Sequence, residues 1–274
     1  MKQIGIIGLG WYGLPLAKHL SQNGYEVKGT VTSAEKQTQL LADGIETVLL
    51  KMVPHPEGVA FHSVFQCETI IINIPPRSRT ATETFYPEQM KYLRQLLENG
   101  QAKHVIFVSA TSVYPDAGQV ATESDPLSLD NTGNEPMLQA EQIISSSESY
   151  QTTILRFGGL LGYDRIPGKY FAGKEVQNTH LKVNYIHRDD AVAFTEWVIK
   201  HNYWAEVVNV VSPLTRTRAE VYLHNATNFD FAAPIIKSGG NELGKYISPE
   251  KIKLLDNFQF KYPDPLHFYF EPKN

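Results

Sequence analysis

The sequence predicts an α/β protein in which a doubly wound parallel sheet carries a small C-terminal lobe. Three observations point there. Short apolar runs alternate with amphipathic segments, the βαβα order in which helices cover both faces of a parallel sheet. The first apolar run breaks at a glycine-rich turn, "IGIIGLGWYGLPLA". After Gly158 the chain mixes glycines with aromatic and basic residues, which suits a ligand-lining loop better than a packed element.

The elements follow in order. A strand is expected at Gln3–Gly8, then a helix from Leu14 to Asn23 that stops at Gly24, a natural C′ residue. Glu26–Val31 reads as the second strand, and Ser33 as the N-cap of a helix ending at Gly44. The β-branched run "TIIINI" (Thr69–Ile74) is too short for a globular helix and predicts a fully buried strand. "TFYPEQMKYLRQLLENG" predicts a long amphipathic helix ending at Gly100. Further strands are expected at Lys103–Ser109, Thr152–Phe157 and Glu206–Val210. Residues 1–157, completed by about 183–211, make the expected nucleotide-binding part. Residues 158–182 and 212–274 make the expected substrate lobe, sharing one continuous core with it because no Pro/Ser-rich linker intervenes.

Composition narrows the function classes. The chain is 42% hydrophobic and 20% charged, with a net charge of −4, an ordinary globular balance. No block of Lys or Arg stands out, which argues against nucleic acid or an anionic membrane surface as a partner. No run approaches a membrane span, and no signal-peptide pattern opens the chain, so a cytoplasmic protein is expected. The single cysteine, Cys67, excludes an internal disulfide and reads as a buried small hydrophobe. No metal site is expected, since His180 and His187 lack ligand partners in sequence.

The glycine turn carries the clearest chemistry. Gly8-x-Gly10-x-x-Gly13 follows a strand and heads a helix. Gly8 permits the tight turn, Gly10 lets backbone approach a pyrophosphate, and Gly13 lets helix and strand pack closely. The helix N-terminus adds unpaired N–H groups and a positive dipole. This predicts a Rossmann-type dinucleotide site. The second strand ends in Val31, Thr32 and Ser33, where a ribose-reading carboxylate is usual. No acid repels a 2′-phosphate, and Thr32, Ser33 and Lys36 can contact one, so NADP(H) is favoured over NAD(H). Trp11, Tyr12, Ile74, Pro75, Pro76, Ser109, Ala110 and Gly158 complete the candidate cofactor contacts.

The glycine turn, "FVSATSVYP", "ILRFGGLLGYDR", "NYIHRDDAV" and the closing "VVNVVSP" occur in that order over about residues 4 to 213. Together they resemble the short-chain dehydrogenase/reductase superfamily, of the extended NAD-dependent epimerase/dehydratase kind, and the GxGxxG spacing resembles its atypical members. The resemblance implies a Ser or Thr ahead of the Val-Tyr pair and a Tyr-x-x-x-Lys dyad on the next helix. Here Ala110 takes the first position, Thr132 that of the tyrosine and Pro136 that of the lysine. Proline breaks a helix interior but is tolerated in its first turn, so Pro136 reads as N1, with Asn134 as the cap. The standard dyad is absent.

Candidate replacements are Thr111, Ser112, Tyr114 (expected to face the cleft) and Thr132, with Glu135 also nearby. Each has a structural alternative: hydroxyls at a strand end cap turns, and a phenol needs a nearby cation to titrate usefully. His187 fits a landmark that in the family usually supports the following helix, with Asp189 and Asp190 as its first-turn charges. The resemblance places Arg165, Lys169, Tyr170 and Lys174 in the loop that lines the substrate pocket, together with His187. Cations and a ring there suit a small anionic or sugar-like substrate; a solvated basic loop is the alternative. The resemblance also implies a homodimer through the helices at 84–99 and 136–148. Two functions fit: an oxidoreductase or epimerase-like enzyme with a non-standard acid/base group, which is favoured, or a catalytically inactive NADP(H)-binding sensor.

Overall fold

The computed structural model describes residues 2–76 and 82–271. Residue 1, residues 77–81 within the expected nucleotide-binding part, and residues 272–274 of the expected lobe lie outside the described residues.

The first half alternates as expected: β1 (Gln3–Ile7), α1 (Gly13–Gln22), β2 (Glu26–Val31), α2 (Ala34–Ala42), β3 (Glu46–Met52), β4 (Pro56–Val59), β5 (Thr69–Ile72), α3 (Phe85–Glu98) and β6 (His104–Ala110). The short β7 (Val120–Ala121) and α4 (Glu135–Ser145) come next, then β8 (Gln151–Phe157), β9 (Gly159–Leu161), β10 (Glu175–Val176) and β11 (Tyr185–His187). The chain closes with α5 (Arg188–Lys200), β12 (Val207–Val210), α6 (Arg218–Asn228), β13 (Ile235–Ile236), β14 (Tyr246–Ile247) and α7 (Glu250–Lys253).

The main sheet has eight strands in the order β12-β8-β6-β5-β1-β2-β3-β4. All its pairs are parallel except β3–β4, a hairpin at one edge that the sequence reading did not assign. The order reverses direction between β1 and β5, the switch point where doubly wound sheets bind ligands outside their strand carboxyl ends. Helices α3 and α4 cover one face with Met90, Leu93, Leu97, Leu138 and Ile144, all buried. Helices α1 and α5 cover the other with Leu16, Leu20, Phe194, Val198 and Ile199. Strand β5 is buried at every position, as its unbroken apolar run demands. Cys67 is buried too, and that burial raises its thiol pKa.

Cap chemistry sets the helix bounds. Ser33 accepts from the Lys36 amide to start α2, and Gly24 and Gly44 follow helix ends with positive φ (85° and 78°). Asn134 caps α4 as expected, accepting from the Met137 amide. Pro136 stands one position later than expected: Glu135 is the first helical residue. A proline at either place leaves the i→i−4 ladder intact, because first-turn amides have no intrahelical partner.

The lobe carries two small apolar clusters of its own. Leu161, Ile166, Phe268 and Phe270 form one small cluster, and Val176, Val183, Val221 and Tyr222 another, with Tyr185 against both. Three two-stranded pairings, β9–β11, β10–β13 and β7–β14, stand apart from the main sheet, and the first and last join the lobe to segments of the nucleotide-binding part. Beyond them the chain returns to the nucleotide-binding part, where Ile252, Phe258 and Phe260 join the α1/α5 core. Among the described residues no helix is long and apolar enough to cross a membrane.

Candidate dinucleotide and substrate site

The glycine turn is built by steric need. Gly8 has φ +104°, and a Cβ there would lie 2.7 Å from the Asn73 carbonyl oxygen. At Gly13 a Cβ would lie 2.1 Å from the Gly8 carbonyl oxygen, so only hydrogen lets α1 sit this close to β1. Gly10 is different: a Cβ there would meet nothing within 4 Å, leaving the outer face of the turn open to a ligand. The Gly8 amide donates to Thr30 Oγ1 at 2.9 Å, and Asn73 Nδ2 donates to the Gly8 carbonyl at 3.2 Å. These two side chains brace the turn, and nothing local in the sequence marks them.

A cleft of about 260 Å³ opens beside the turn. It is bounded by Gly8, Gly10, Thr32, Lys36, Ile74 and Pro75, with Thr30, Leu50, Met52, Asn73 and Gln89 among its other walls. No carboxylate lines it among the described residues. Lys36 bends over the turn and donates from Nζ to the Leu9 carbonyl at 2.6 Å. Thus Gly8, Gly10, Thr32, Lys36, Ile74 and Pro75 converge on one cleft. Pro76 lies just past it, and Ser33 is spent on capping α2.

Other expected cofactor contacts lie elsewhere. The Tyr12 ring is buried against Phe157, and its hydroxyl sits 2.6 Å from Thr195 Oγ1, so burial raises its pKa and the side chain faces the core. Ser109 is buried and donates to Glu141 Oε1 at 2.5 Å. Ala110 packs against the α3/α4 core. Gly158 is buried where a Cβ would lie 2.5 Å from the Asn184 carbonyl oxygen, a close approach of two backbones. Trp11 stays at the open mouth, donating from Nε1 to Asp164 at 2.7 Å.

The candidate acid/base residues are largely committed to holding the fold. Tyr114 does not face the cleft: it is fully buried, its hydroxyl donating to Asn209 Oδ1 and accepting from Arg156 Nη1, both at 2.8 Å. Burial outweighs the nearby guanidinium and raises its pKa, the opposite of what a general base needs. Thr132 Oγ1 donates to the Val113 carbonyl at 2.7 Å and accepts from the Asn134 amide. Ser112 Oγ accepts from Asn134 Nδ2 at 3.0 Å. Glu135 pairs with Gln139 on the outside of α4.

Thr111 and Ser112 nevertheless reach a second cavity, of about 450 Å³, on the lobe side. Lys182, Asn184, Arg218 and Lys245 also line it. Lys245 Nζ donates to the Tyr114 carbonyl at 2.6 Å and pairs with Asp116 at 3.3 Å. The expected substrate contacts are not among its walls. Lys169 and Tyr170 stand exposed, Lys174 donates back to the Tyr170 carbonyl, and Arg165 turns toward Trp11. His187 is fully buried as the N-cap of α5: Nδ1 accepts from the Asp189 amide at 3.2 Å and Nε2 faces the Tyr269 carbonyl at 3.1 Å. Burial lowers its pKa. Its role in this fold is a cap. Among the described residues, no group of three or more His, Cys, Asp or Glu could hold a metal ion.

A doubly wound sheet with a braced glycine turn at its switch point is the Rossmann arrangement, in which dinucleotides bind at this place. Residues 3–130 match the family described as the NAD binding domain of 6-phosphogluconate dehydrogenase. Over 269 residues the chain is 28% identical to Protein YeeZ of Escherichia coli strain K12, spanning 97% of this chain and 98% of that one. Its fold matches the UDP-N-acetylglucosamine 4-epimerase of Bacillus cereus with a TM-score of 0.78 at 15% identity, covering 97% of each chain. It also matches a short-chain dehydrogenase/reductase superfamily protein of Agrobacterium tumefaciens with bound NAD, with a TM-score of 0.76 at 15% identity and coverage of 96% and 94%. Residues 3–130 thus resemble an NAD binding domain, and the chain as a whole has the fold of these epimerase and short-chain dehydrogenase/reductase structures.

Proposed function

We propose that the protein binds NADP(H) in preference to NAD(H) and acts in the cytoplasm as an oxidoreductase or epimerase-like enzyme on a small anionic substrate. The carrying observation is the cleft beside Gly10, where Thr32 and Lys36 stand at the end of β2 without a carboxylate among the described walls. An ammonium there complements a 2′-phosphate, whereas a ribose-reading acid would repel it. The open face of Gly10 fits the cofactor's pyrophosphate. A nicotinamide, when bound, supplies hydride transfer, the hard part of such chemistry.

The protein's own side chains bind and orient. Lys182, Arg218 and Lys245, set against the one lining carboxylate of Asp116, leave the lobe cavity with an excess of positive charge suited to a carboxylate or phosphate. Thr111 and Ser112 supply hydroxyls at its floor, just past the carboxyl end of β6. A homodimer through the outer faces of α3 and α4 belongs to the same reading, and sedimentation equilibrium tests it.

A second reading, a sensor without turnover, is favoured by one observation. Tyr114, Thr132 and Ser112 all hold the fold through hydrogen bonds, which leaves none of these three as an acid or base in the dyad's place. Calorimetric titration with NADPH and NADH in parallel tests the shared premise. Tighter NADPH binding supports it, tighter NADH binding overturns the 2′-phosphate reading, and binding of neither overturns both functions.

A further inference from the structure

Trp11, next to Gly10, gathers charge from two distant parts of the chain. The Arg165 guanidinium lies 4.0 Å from the centre of its ring and that of Arg188 lies 4.6 Å away. Arg188 also stacks on Tyr163 at 3.7 Å and reaches the Trp11 carbonyl with Nη1 at 3.4 Å. Two like charges over one indole repel each other, and both cation–π attraction and the Asp164 carboxylate at the indole Nε1 work against that repulsion.

The acids that follow Arg188 are engaged elsewhere. Asp189 accepts from Tyr163 and Lys261, and Asp190 accepts from the amides of Lys261 and Tyr262. Arg188 Nε is buried with no hydrogen-bond partner, a donor left waiting for an acceptor. Helix α1 beside it has no side-chain cap and no acid in its first turn. A guanidinium with one unpaired N–H, a second arginine and an uncapped helix head thus meet around Trp11, the residue next to Gly10.

We infer that Arg165 and Arg188 are ligands of the cofactor diphosphate, so that binding draws them off Trp11 and ties the loop carrying Arg165 to the occupied glycine turn. The inference rests on the dinucleotide reading of the site. It assigns a positioning role to a loop residue, Arg165, that sequence placed in the substrate pocket.

The test measures NADPH and NADH binding to wild type, R165M, R188M and R188K by calorimetry at several salt concentrations, with apo melting curves as the folding control. Tryptophan emission of wild type and W11F is followed through the same titrations. We expect R165M and R188M each to weaken both dinucleotides about tenfold, as loss of a charge-assisted hydrogen bond does. Their salt dependence should become shallower, R188K should recover part of the affinity, and the NADPH:NADH ratio should stay unchanged. The emission change on binding should vanish in W11F. Wild-type affinity in folded R165M and R188M would overturn the diphosphate assignment while leaving the cofactor reading intact. Loss of affinity without a change in salt dependence would reduce the arginines to packing and overturn it as well. Failure of wild type to bind either dinucleotide would instead sink the reading beneath it.

Discussion

Arg156 of β8 and Glu141 of α4 form a two-pronged ion pair inside the protein, with Nε–Oε1 at 3.0 Å and Nη2–Oε2 at 2.7 Å. The resemblance to short-chain dehydrogenases places a tyrosine and lysine at the head of this helix, beside the nicotinamide. Here the helix instead sends a carboxylate inward to lock β8. Ser109 and Tyr114 extend the lock, so the hydroxyls nearest the expected reaction centre hold the wall together.

Removing one partner strands a buried charge, which costs about 3–5 kcal/mol. E141A should therefore melt well below wild type, by about 10 °C at the usual 2–4 °C per kcal/mol for a chain of this size. The double variant E141Q/R156M should recover part of that loss. Thermal denaturation followed by circular dichroism checks both, and additive losses would show that the pair is not coupled.

The glycines of the turn should separate into two kinds. G13A drives a methyl into the Gly8 carbonyl and should lower both stability and dinucleotide affinity. G10A places its methyl in open space, so the apo protein should melt like wild type while NADPH affinity falls at least about tenfold, as a ligand's close approach to backbone requires. Melting curves with and without NADPH distinguish the cases.

Lys36 is expected to set the choice between dinucleotides. K36A should weaken NADPH about tenfold, the effect of one lost charge-assisted contact, and change NADH by less than about twofold. Equal losses would show that Lys36 acts only by holding the Leu9 carbonyl.

Acid should loosen the lobe through Asp264. Arg216 clamps this buried carboxylate with Nε–Oδ1 at 3.0 Å and a short Nη2–Oδ2 contact, holding its pKa below the ordinary carboxylate range. A lowered folded-state pKa adds stability that is present above the unfolded value near 3.8 and is lost as pH falls through the folded one. D264N should cost about 1–2 kcal/mol at pH 7, discounted because Arg216 is partly exposed. The gap to wild type should narrow as pH falls below that unfolded value and close as it passes through the lowered folded one. Urea unfolding across that range checks the sign.

Much of the frame was legible because it rests on local rules. Glu26–Val31 matches the strand bounds read from sequence, and Ser33 and Asn134 cap the helices assigned to them. The β3–β4 hairpin went unread because its polar outer strand lacks an apolar run: Pro56-Glu57-Gly58 gives no period-two signal. The site was less legible, for a geometric reason. Tyr114 sits beside a strand whose end opens on the cleft, yet its direction is decided by Arg156 and Asn209, far along the chain. Lys182, Arg218 and Lys245 meet in one cavity from separate segments, so no spacing announces them. Arg165, Lys169, Tyr170 and Lys174 did form a local cluster, but adjacency along a loop does not give side chains a common direction. His187, read as support for the following helix, is the N-cap of α5, and its burial follows from that position.

The pairing of β7 with β14 has a further meaning for how this chain is made. Val120 and Ala121 lie before the nucleotide-binding sheet is complete, yet their partners, Tyr246 and Ile247, leave the ribosome more than a hundred residues later. Phe258 and Phe260 then seal the apolar side of α5, and Lys261 bonds Asp189 at its head. A graft of residues 1–157 onto another protein would carry an unsealed sheet rather than a working nucleotide module. The sheet is thus closed by segments that lie at both ends of the chain.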